Sequence, residues 1–422
     1  MRKVLVFPAG TEIGLEIYAA LNSCKEVKLF AAGQATSNHA EFLYSKYYQI
    51  PDIYTEGWVD DLVALVKKLD IDYIFPAYDD VIVALSENRE KIPATILIPS
   101  KEVCLLTRSK SKTYKKLRSV VKTPKVYDSV DDVTHYPIFI KPDRGQGSFG
   151  IKLVNSREEL LQVMGEILDP IISEYLPGKE YTVDCFSDRD KGLLFSGARQ
   201  RLRMRNGIAV STQLIEGELF NSFAQKISNA LNMQGAWFFQ VKEDENNELT
   251  LLEVGPRIAG SMATNRVQGI NFPLLSLFEA ERAPLLILKN SYPVLLDRAL
   301  KNKYKKSIEF DSVYIDFDDT IILGDVINLQ AIQLLYKCIN KGIEIILITR
   351  HAGDLPKILK KYRLDNIFDR IIHLKEGEKK SSVITHANAI FIDDSFSERL
   401  DVQANKNIPT FDCSMLEFLL DQ

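Results

Sequence analysis

Ile138 to Val154 reads IFIKPDRGQGSFGIKLV. The apolar run Ile138-Phe139-Ile140 ends in Lys141 and Pro142. The loop after it supplies Gly145, Gly147 and Gly150, and Ile151 to Val154 resumes an apolar alternation. This pattern predicts two strands joined by a loop that presents backbone N–H groups, because glycine accepts the positive φ that concave turns need. Successive N–H groups in such a turn form an anion nest, to which Lys141 at the strand end adds a point charge. Two readings stand at this point: a flap over the phosphates of a nucleotide, and a glycine-rich hairpin with no ligand. The loop lacks the G-K-[ST] ending of a Walker motif.

Around this stretch lies a chain of 422 residues, long enough for roughly three domains. A hydrophobic content of 46% with 26% charged residues is that of a soluble globular protein with a sizeable core. The net charge of −4 argues against a general nucleic-acid partner, since phosphate-backbone binding needs a basic surface. No apolar run approaches the roughly 18 residues of a membrane span, and the start MRKVLVFPAG reads as a first strand rather than a secretory signal. Cys24, Cys104, Cys185, Cys338 and Cys413 show no paired spacing, which fits free thiols in a reducing cytoplasm.

In chain order, Lys3 to Phe7 is a strand, Gly10 and Gly14 open a helix through about Leu21, and Val27 to Phe30 is the next strand. This βαβ start fails as a dinucleotide site: its glycines do not match G-x-G-x-x-G, and no acidic residue closes the second strand. A third strand, Tyr73 to Ala77, precedes Asp79-Asp80 at a helix start, where acidic residues suit the dipole and read as caps. Ser109 to Val120 is a lysine-rich helix from which Lys112 would reach inward to a phosphate. In IISEYLPGKEYTVDCF, an extended connection at Glu174 to Leu176 can pair its backbone with a purine edge, and Glu180 can take ribose hydroxyls. The alternative is a plain hairpin with exposed carboxylates. Arg199, Arg201, Arg203 and Arg205 alternate along one strand, so they fall on one face. Four like charges there favour an anionic substrate to offset their repulsion. Trp237 to Val241 and Leu249 to Val254 form a hairpin that brings Gln240 beside Glu253, two oxygen ligands suited to a hard cation. Arg257 follows on the loop.

Lys112, Lys141, RGQGSFG, EYLPGKEYTVD and LLEVGPR, in that order, resemble the ATP-grasp superfamily, in particular its carboxylate–amine ligase and carbamoyl-phosphate-synthase-like branch. The resemblance covers about residues 1 to 288. It implies that Lys112 and Lys141 hold ATP phosphates under a flap containing Gly145, Gly147, Ser148 and Gly150. Glu174, Tyr175 and Leu176 would form the adenine hinge, and Glu180 would bind ribose. Gln240 and Glu253 would hold Mg²⁺ (or Mn²⁺). Arg257 would meet the transferred phosphate or a substrate carboxylate, with Arg199, Arg201 and Arg203 as further substrate contacts. The family's acid-x-Asn-Pro-Arg pattern reads Glu253-Val254-Gly255-Pro256-Arg257 here, so the asparagine ligand is missing.

After a stretch ending in Lys301-Asn302-Lys303-Tyr304-Lys305-Lys306, which reads as a linker, the sequence VYIDFDDTI closes an apolar strand with Asp316, Asp318 and Asp319. Carboxylates this close repel one another unless a cation or proton intervenes. A helix from Asn328 to Asn340, with Ile332, Leu335 and Ile339 on one face, stops at Gly342. The strand Ile343 to Ile348 then ends in Thr349, Lys379-Lys380 opens a helix, and Ala389 to Ile392 ends in Asp393-Asp394. Strand ends carrying such groups mark the ligand edge of an open α/β sheet. This segment resembles the haloacid-dehalogenase-like phosphatases. By that resemblance Asp316 is the nucleophile, Asp318 the general acid and base, Thr349 and Lys380 (or Lys379) the phosphate holders, and Asp316, Asp318, Asp393 and Asp394 the Mg²⁺ candidates.

The expected architecture is α/β and α+β multidomain. A Rossmann-like pre-ATP-grasp domain spans 1–108, an ATP-grasp domain 109–288, a linker 289–310, and a capless haloacid-dehalogenase-like Rossmannoid domain 311–422. The expected function is bifunctional: a ligase that activates a small anionic carboxylate as an acyl phosphate for attack by an amine, joined to a phosphatase with its own phosphorylated substrate. ATP and Mg²⁺ are the expected cofactors, in a cytoplasmic protein with no nucleic-acid or membrane partner. Homo-oligomerisation is left open. The rivals are a kinase without ligation and a nucleotide-binding sensor with one silent domain.

Overall fold

A computed structural model describes residues 1–145, 150–305 and 308–421. The chain divides into two compact units, Met1–Leu300 and Lys301–Gln422.

The first unit opens with strands β1 (Arg2–Phe7), β2 (Val27–Gly33), β3 (Tyr47–Gln49), β4 (Tyr73–Pro76) and β5 (Thr95–Ile96). They form a parallel sheet ordered β3-β2-β1-β4-β5. Alternation along β1 sends Val4 and Val6 to one apolar core, and Leu5 and Phe7 to another on the opposite face. Both faces are therefore covered, as parallel sheets require. The Val4/Val6 face packs with Phe238, Ile258 and Phe272 from much later in the chain. That shared core makes the early α/β domain and the following region one unit.

The strands β6 (Val126–Tyr127), β7 (Ile138–Pro142), β8 (Lys152–Val154) and β9 (Pro170–Glu174) form an antiparallel sheet ordered β6-β9-β7-β8. β7 and β8 pair antiparallel on either side of the glycine-rich segment, Ile138 facing Val154 and Ile140 facing Lys152. Gly150 takes φ +72°, the left-handed conformation that favours glycine. Gln146 to Phe149, including Gly147 and Ser148, lie outside the described residues.

A larger antiparallel sheet carries the middle of the chain: β10 (Glu180–Asp188), β11 (Gly192–Arg205), β12 (Ile208–Ile215), β13 (Gly235–Glu243), β14 (Leu249–Gly255) and β15 (Leu295–Asp297), ordered β14-β13-β10-β11-β12-β15. The helix Glu218–Leu231 buries Phe223, Ala224, Ile227 and Leu231 with Val183, Trp237 and Phe239 on one face. The expected linker starting at 289 is corrected here. Leu295–Asp297 pair with β12, and the first unit runs to Leu300. A three-residue edge strand after a long irregular stretch carries too little periodicity to be read in sequence.

The second unit contains β16 (Ser312–Ile315), the hairpin β17 (Ile322–Leu323) and β18 (Val326–Ile327), then β19 (Glu344–Thr349), β20 (Arg370–His373), β21 (Ala389–Ile392) and β22 (Thr410–Phe411). Its main sheet is parallel and ordered β20-β19-β16-β21-β22. Asn328 caps the helix Leu329–Lys341 by accepting from the Gln330 and Ala331 N–H groups, and Gly342 closes it at φ +66°. The helix buries Ala331, Leu334, Leu335 and Cys338, whereas Ile339, expected inward, is 47% exposed.

Gly255, where the sequence pattern anticipates asparagine, lies directly opposite Phe238. A Cβ on it would fall 2.4 Å from the Phe238 ring. Gly255→Ala is expected to destabilise the first unit by about 1–3 kcal/mol in urea unfolding, with Phe238→Leu in the same chain recovering part of the loss. An unchanged midpoint for Gly255→Ala would show that the ring can move aside.

Candidate functional site

The cavity of the first unit, about 560 Å³, is lined by residues from the early α/β domain, the β7/β8 hairpin and the large sheet. Lys141 ends β7 inside it and is 8% exposed. Its Nζ donates to Tyr114 Oη at 3.0 Å, and that hydroxyl donates to the Leu252 carbonyl at 2.6 Å. Burial pushes the Lys141 ammonium down to about 8, with Glu253 and Glu180 opposing.

Lys110, not Lys112, lines the cavity with Lys141 and Lys242. Ser109 caps the helix Lys110–Leu117 and also donates to Asp143 Oδ2 at 2.5 Å, which pins the helix start to the end of β7. The Ser111 N–H donates to Asp143 Oδ1 at 2.7 Å. Lys110 shares the inward face with Thr113, Tyr114 and Leu117, while Lys112 sits exposed with Lys115 and Lys116. Lys110 Nζ lies 3.3 Å from the Gly145 carbonyl, at the flap, and burial holds its pKa below the usual lysine range. The spacing 110, 113, 114, 117 was the signal in the sequence that separates the two.

Glu174 and Leu176 line the cavity, and Tyr175 packs on Phe139 with ring centroids 5.3 Å apart. The Glu174 carboxylate accepts the Lys125 N–H at 2.9 Å, so its side chain is held by the neighbouring strand. Glu180 pairs with Arg201 at 2.7 Å. Gln240 and Glu253 are register partners across β13 and β14, as the hairpin reading expected, and both line the cavity. Gln240 Oε1 accepts from Arg201 Nη1. Gly255 offers no side-chain oxygen, and the Phe238 ring occupies the space one would need.

The arginine strand departs from expectation. Its repulsion is offset by the protein's own carboxylates: Arg199 with Asp184, Arg201 with Glu180, and Arg203 with Asp297. Arg199 is 2% exposed, and its Nε and Nη2 lie 2.9 and 3.1 Å from Asp184. Arg203 lies beyond a register shift after Arg201, is exposed, and sits outside the cavity. Arg199 and Arg201 do line the cavity, and among the described residues the buried Arg199 Nη1 and Arg201 Nε have no hydrogen-bond partner. Arg257 also lines it and forms a two-point pair with Asp79, its Nη2 lying 2.9 Å from Oδ2. Burial opposes the charged form of Asp79, yet Arg257 keeps its pKa below the usual carboxylate range. Asp80, beside it, holds Arg108 at 2.8 Å. Both aspartates start the helix Asp79–Glu87 as expected, but their role as arginine partners was missed.

In the second unit, β16, β19 and β21 run parallel with Ile315, Leu347 and Ile392 in register, so Asp316, Thr349 and Asp393 gather at one sheet edge. Ligand oxygens of Asp316, Asp393 and Asp394 lie within 4.8 Å of one another. Lys380 Nζ reaches both Asp316 and Asp393, the latter at 2.6 Å, whereas Lys379 is exposed and pairs with Asp401. Burial pushes Asp316 up to about 7 despite the Lys380 ammonium. The Asp318 side chain stands outside the carboxylate group and pairs with His351 Nδ1 at 3.0 Å, which corrects its place among the metal candidates. Thr349 Oγ1 accepts the His351 N–H at 3.1 Å. His351 was not singled out in the sequence; its position two residues beyond a strand-end threonine was the available hint.

Two family models match, both within the first unit. Residues 4–97 match the PylC-like N-terminal domain, and residues 166–292 match a domain described as ATP-grasp in the biosynthetic pathway with Ter operon. A D-alanine–D-alanine ligase of Fusobacterium nucleatum is 36% identical over 90 residues, 21% of this chain and 31% of that protein. The arginine-specific carbamoyl phosphate synthase large chain of Bacillus subtilis is 27% identical over 157 residues, 34% of this chain and 15% of that protein. The chain thus matches less than a third of the length of each curated relative. Among solved structures, the biotin carboxylase domain of Hydrogenobacter thermophilus 2-oxoglutarate carboxylase, with MgADP and bicarbonate, matches at TM-score 0.59 and 17% identity over 68% of this chain and 71% of that one. Carboxyaminoimidazole ribonucleotide synthase of Aspergillus clavatus, complexed with ATP, matches at TM-score 0.57 and 15% identity over 70% and 81%. The first unit therefore has the ATP-grasp fold behind a parallel-sheet N-terminal domain.

Proposed function

We propose that the first unit is an ATP- and Mg²⁺-dependent carboxylate–amine ligase. The observation that carries this reading is one cavity holding Lys110, Lys141, Arg201 and Arg257 together with the register pair Gln240/Glu253. Two buried guanidinium N–H groups in that cavity lack partners, which suits a polyanion. Lys110 and Lys141 would hold phosphates below the flap, Glu174 to Leu176 would present backbone to the base, and Glu180 would face the ribose. Glu253 would hold Mg²⁺, with Gln240 once Arg201 turns to the nucleotide. Bound ATP supplies a phosphoryl group that makes a carboxylate reactive. Arg199, Arg201 and Arg257 would bind the carboxylate and the developing charge in a site where burial strengthens each interaction. The carboxylate oxygen takes the γ-phosphoryl group as ADP leaves, and the amine then displaces phosphate and loses a proton.

For the second unit we propose a phosphomonoesterase. Asp316 would attack phosphorus and form an aspartyl-phosphate, with Thr349 and Lys380 at the phosphate. Asp318, positioned by His351, would protonate the leaving alcohol and then activate water. Asp316, Asp393 and Asp394 would hold Mg²⁺.

ADP and phosphate release with Mg-ATP, a carboxylate panel and an amine panel tests both parts. ADP release should require carboxylate and amine together and vanish in Lys141→Ala. Phosphomonoester hydrolysis should vanish in Asp316→Asn only. ADP release with carboxylate alone would convert the ligase into a kinase, and the absence of any hydrolysed phosphomonoester would sink the second assignment.

Lys141 supplies a pH test. Its folded pKa is lowered to about 8, so above that pH the free protein carries it partly neutral. Bound phosphates favour the ammonium, so Mg-ATP binding should take up a proton at about pH 8 and much less at about pH 6. Calorimetry in buffers of different ionisation heat reads this directly, and the uptake should fall in Lys141→Arg. Equal uptake in wild type and variant would remove Lys141 from the phosphate site.

A further inference from the structure

A second cavity, of about 340 Å³, opens at the C-terminal edge of the first parallel sheet, where open α/β sheets place ligands. Thr11 and Tyr78 line both this cavity and the larger one, so the two adjoin. The new cavity is lined by the rings of Tyr47, Tyr54 and Tyr78 and by the carboxylates of Asp52 and Asp80, and among the described residues no lysine, arginine or histidine lines it. The neighbouring cavity differs, with three lysines and four arginines set against five carboxylates.

The two carboxylates differ. Asp80 is answered by Arg108 at 2.8 Å. Asp52 accepts from neutral donors: the Tyr54 N–H at 2.8 Å and the Gln34 side-chain amide. Among the described residues it has no ion pair, so its charge faces the cavity unbalanced. Tyrosine faces beside an unpaired carboxylate attract an organic cation, through the ring quadrupole as well as the formal charge. Burial raises the pKa of Tyr47, Tyr54 and Tyr78, so these phenols stay neutral and add no competing anion.

We propose that this cavity receives the cationic tail of the amine substrate, an amine bearing a second ammonium or a guanidinium group, with Asp52 as its counter-ion. The proposal rests on the ligase reading for the role of the amine, but the binding site itself does not. A tail seated between Tyr54 and Tyr78 would direct the reacting nitrogen past Thr11 toward Arg257, which Asp79 holds one residue from Tyr78. The volume falls within the range of small-molecule pockets, roughly 300–1,000 Å³.

The test is calorimetric binding of agmatine, cadaverine, n-butylamine and glutarate to the full chain without nucleotide. Agmatine or cadaverine should bind at least about tenfold more tightly than n-butylamine, and glutarate should not compete. Asp52→Asn keeps an acceptor for the Tyr54 N–H and should weaken agmatine binding about tenfold at an unchanged Tm; Tyr54→Ala should weaken it several-fold. Lys141→Ala should lose Mg-nucleotide binding and keep agmatine binding, so the cavity and the ligase reading fail separately. Dication binding that survives both Asp52→Asn and Tyr54→Ala, effective competition by glutarate, or no binding by either dication would overturn the proposal.

Discussion

A guanidinium taken out of water has to be answered by a carboxylate, and this constraint shapes the first unit. Removing one partner of such a pair leaves a buried charge, which costs about 3–5 kcal/mol. Strand β11 meets the demand where it is buried, Arg199 through Asp184 and Arg201 through Glu180. Asp184 also accepts from Asn265 at 2.9 Å, so the partner is itself fixed. Arg257 finds Asp79 in a different domain of the same unit. The cavity wall is therefore built from charges that are neutralised from behind and leave only a few donors over. Those donors are what an anionic ligand meets.

The two units place opposite charge at their sheet edges. In the first, burial weakens the hold of Lys110 and Lys141 on their protons, and bound phosphates would restore it under the proposed function. In the second, three carboxylates gather at one sheet edge, and the ammonium of Lys380 reaches two of them, Asp316 and Asp393. Each site is held in an electrostatically unfavourable state, which under the proposed functions anions would relieve in one case and a divalent cation in the other.

Much of this was legible in the sequence because strand ends advertise themselves. Lys141 after IFI, Asp316 after VYI, Thr349 and the Asp393-Asp394 pair all sit where an apolar run stops, and each lies at a sheet edge or in the cavity. The hairpin register that pairs Gln240 with Glu253 was likewise fixed by two apolar runs around an acidic turn. Helix faces were harder. Lys110 and Lys112 are alike in composition and differ only in phase against Tyr114 and Leu117. Ion pairs between distant segments, such as Arg257 with Asp79, leave no local trace at all. The charge balance of the arginine strand was not legible, because the carboxylate partners of Arg199, Arg201 and Arg203 lie on other strands, at Asp184, Glu180 and Asp297.

Gly255 and Phe238 form a locked pair, and that lock constrains how the chain can change over time. Any side chain at 255 meets the aromatic ring first, so a lineage cannot regain an amide ligand there in a single step. The ring would have to shrink beforehand, opening a void in a core that also contains Phe272 and Ile258. Either change made alone would therefore cost stability, a clash in one order and a void in the other, which makes the order of substitutions matter. Under the proposed function, packing one strand away thus limits how many side-chain oxygens this wall can offer a cation.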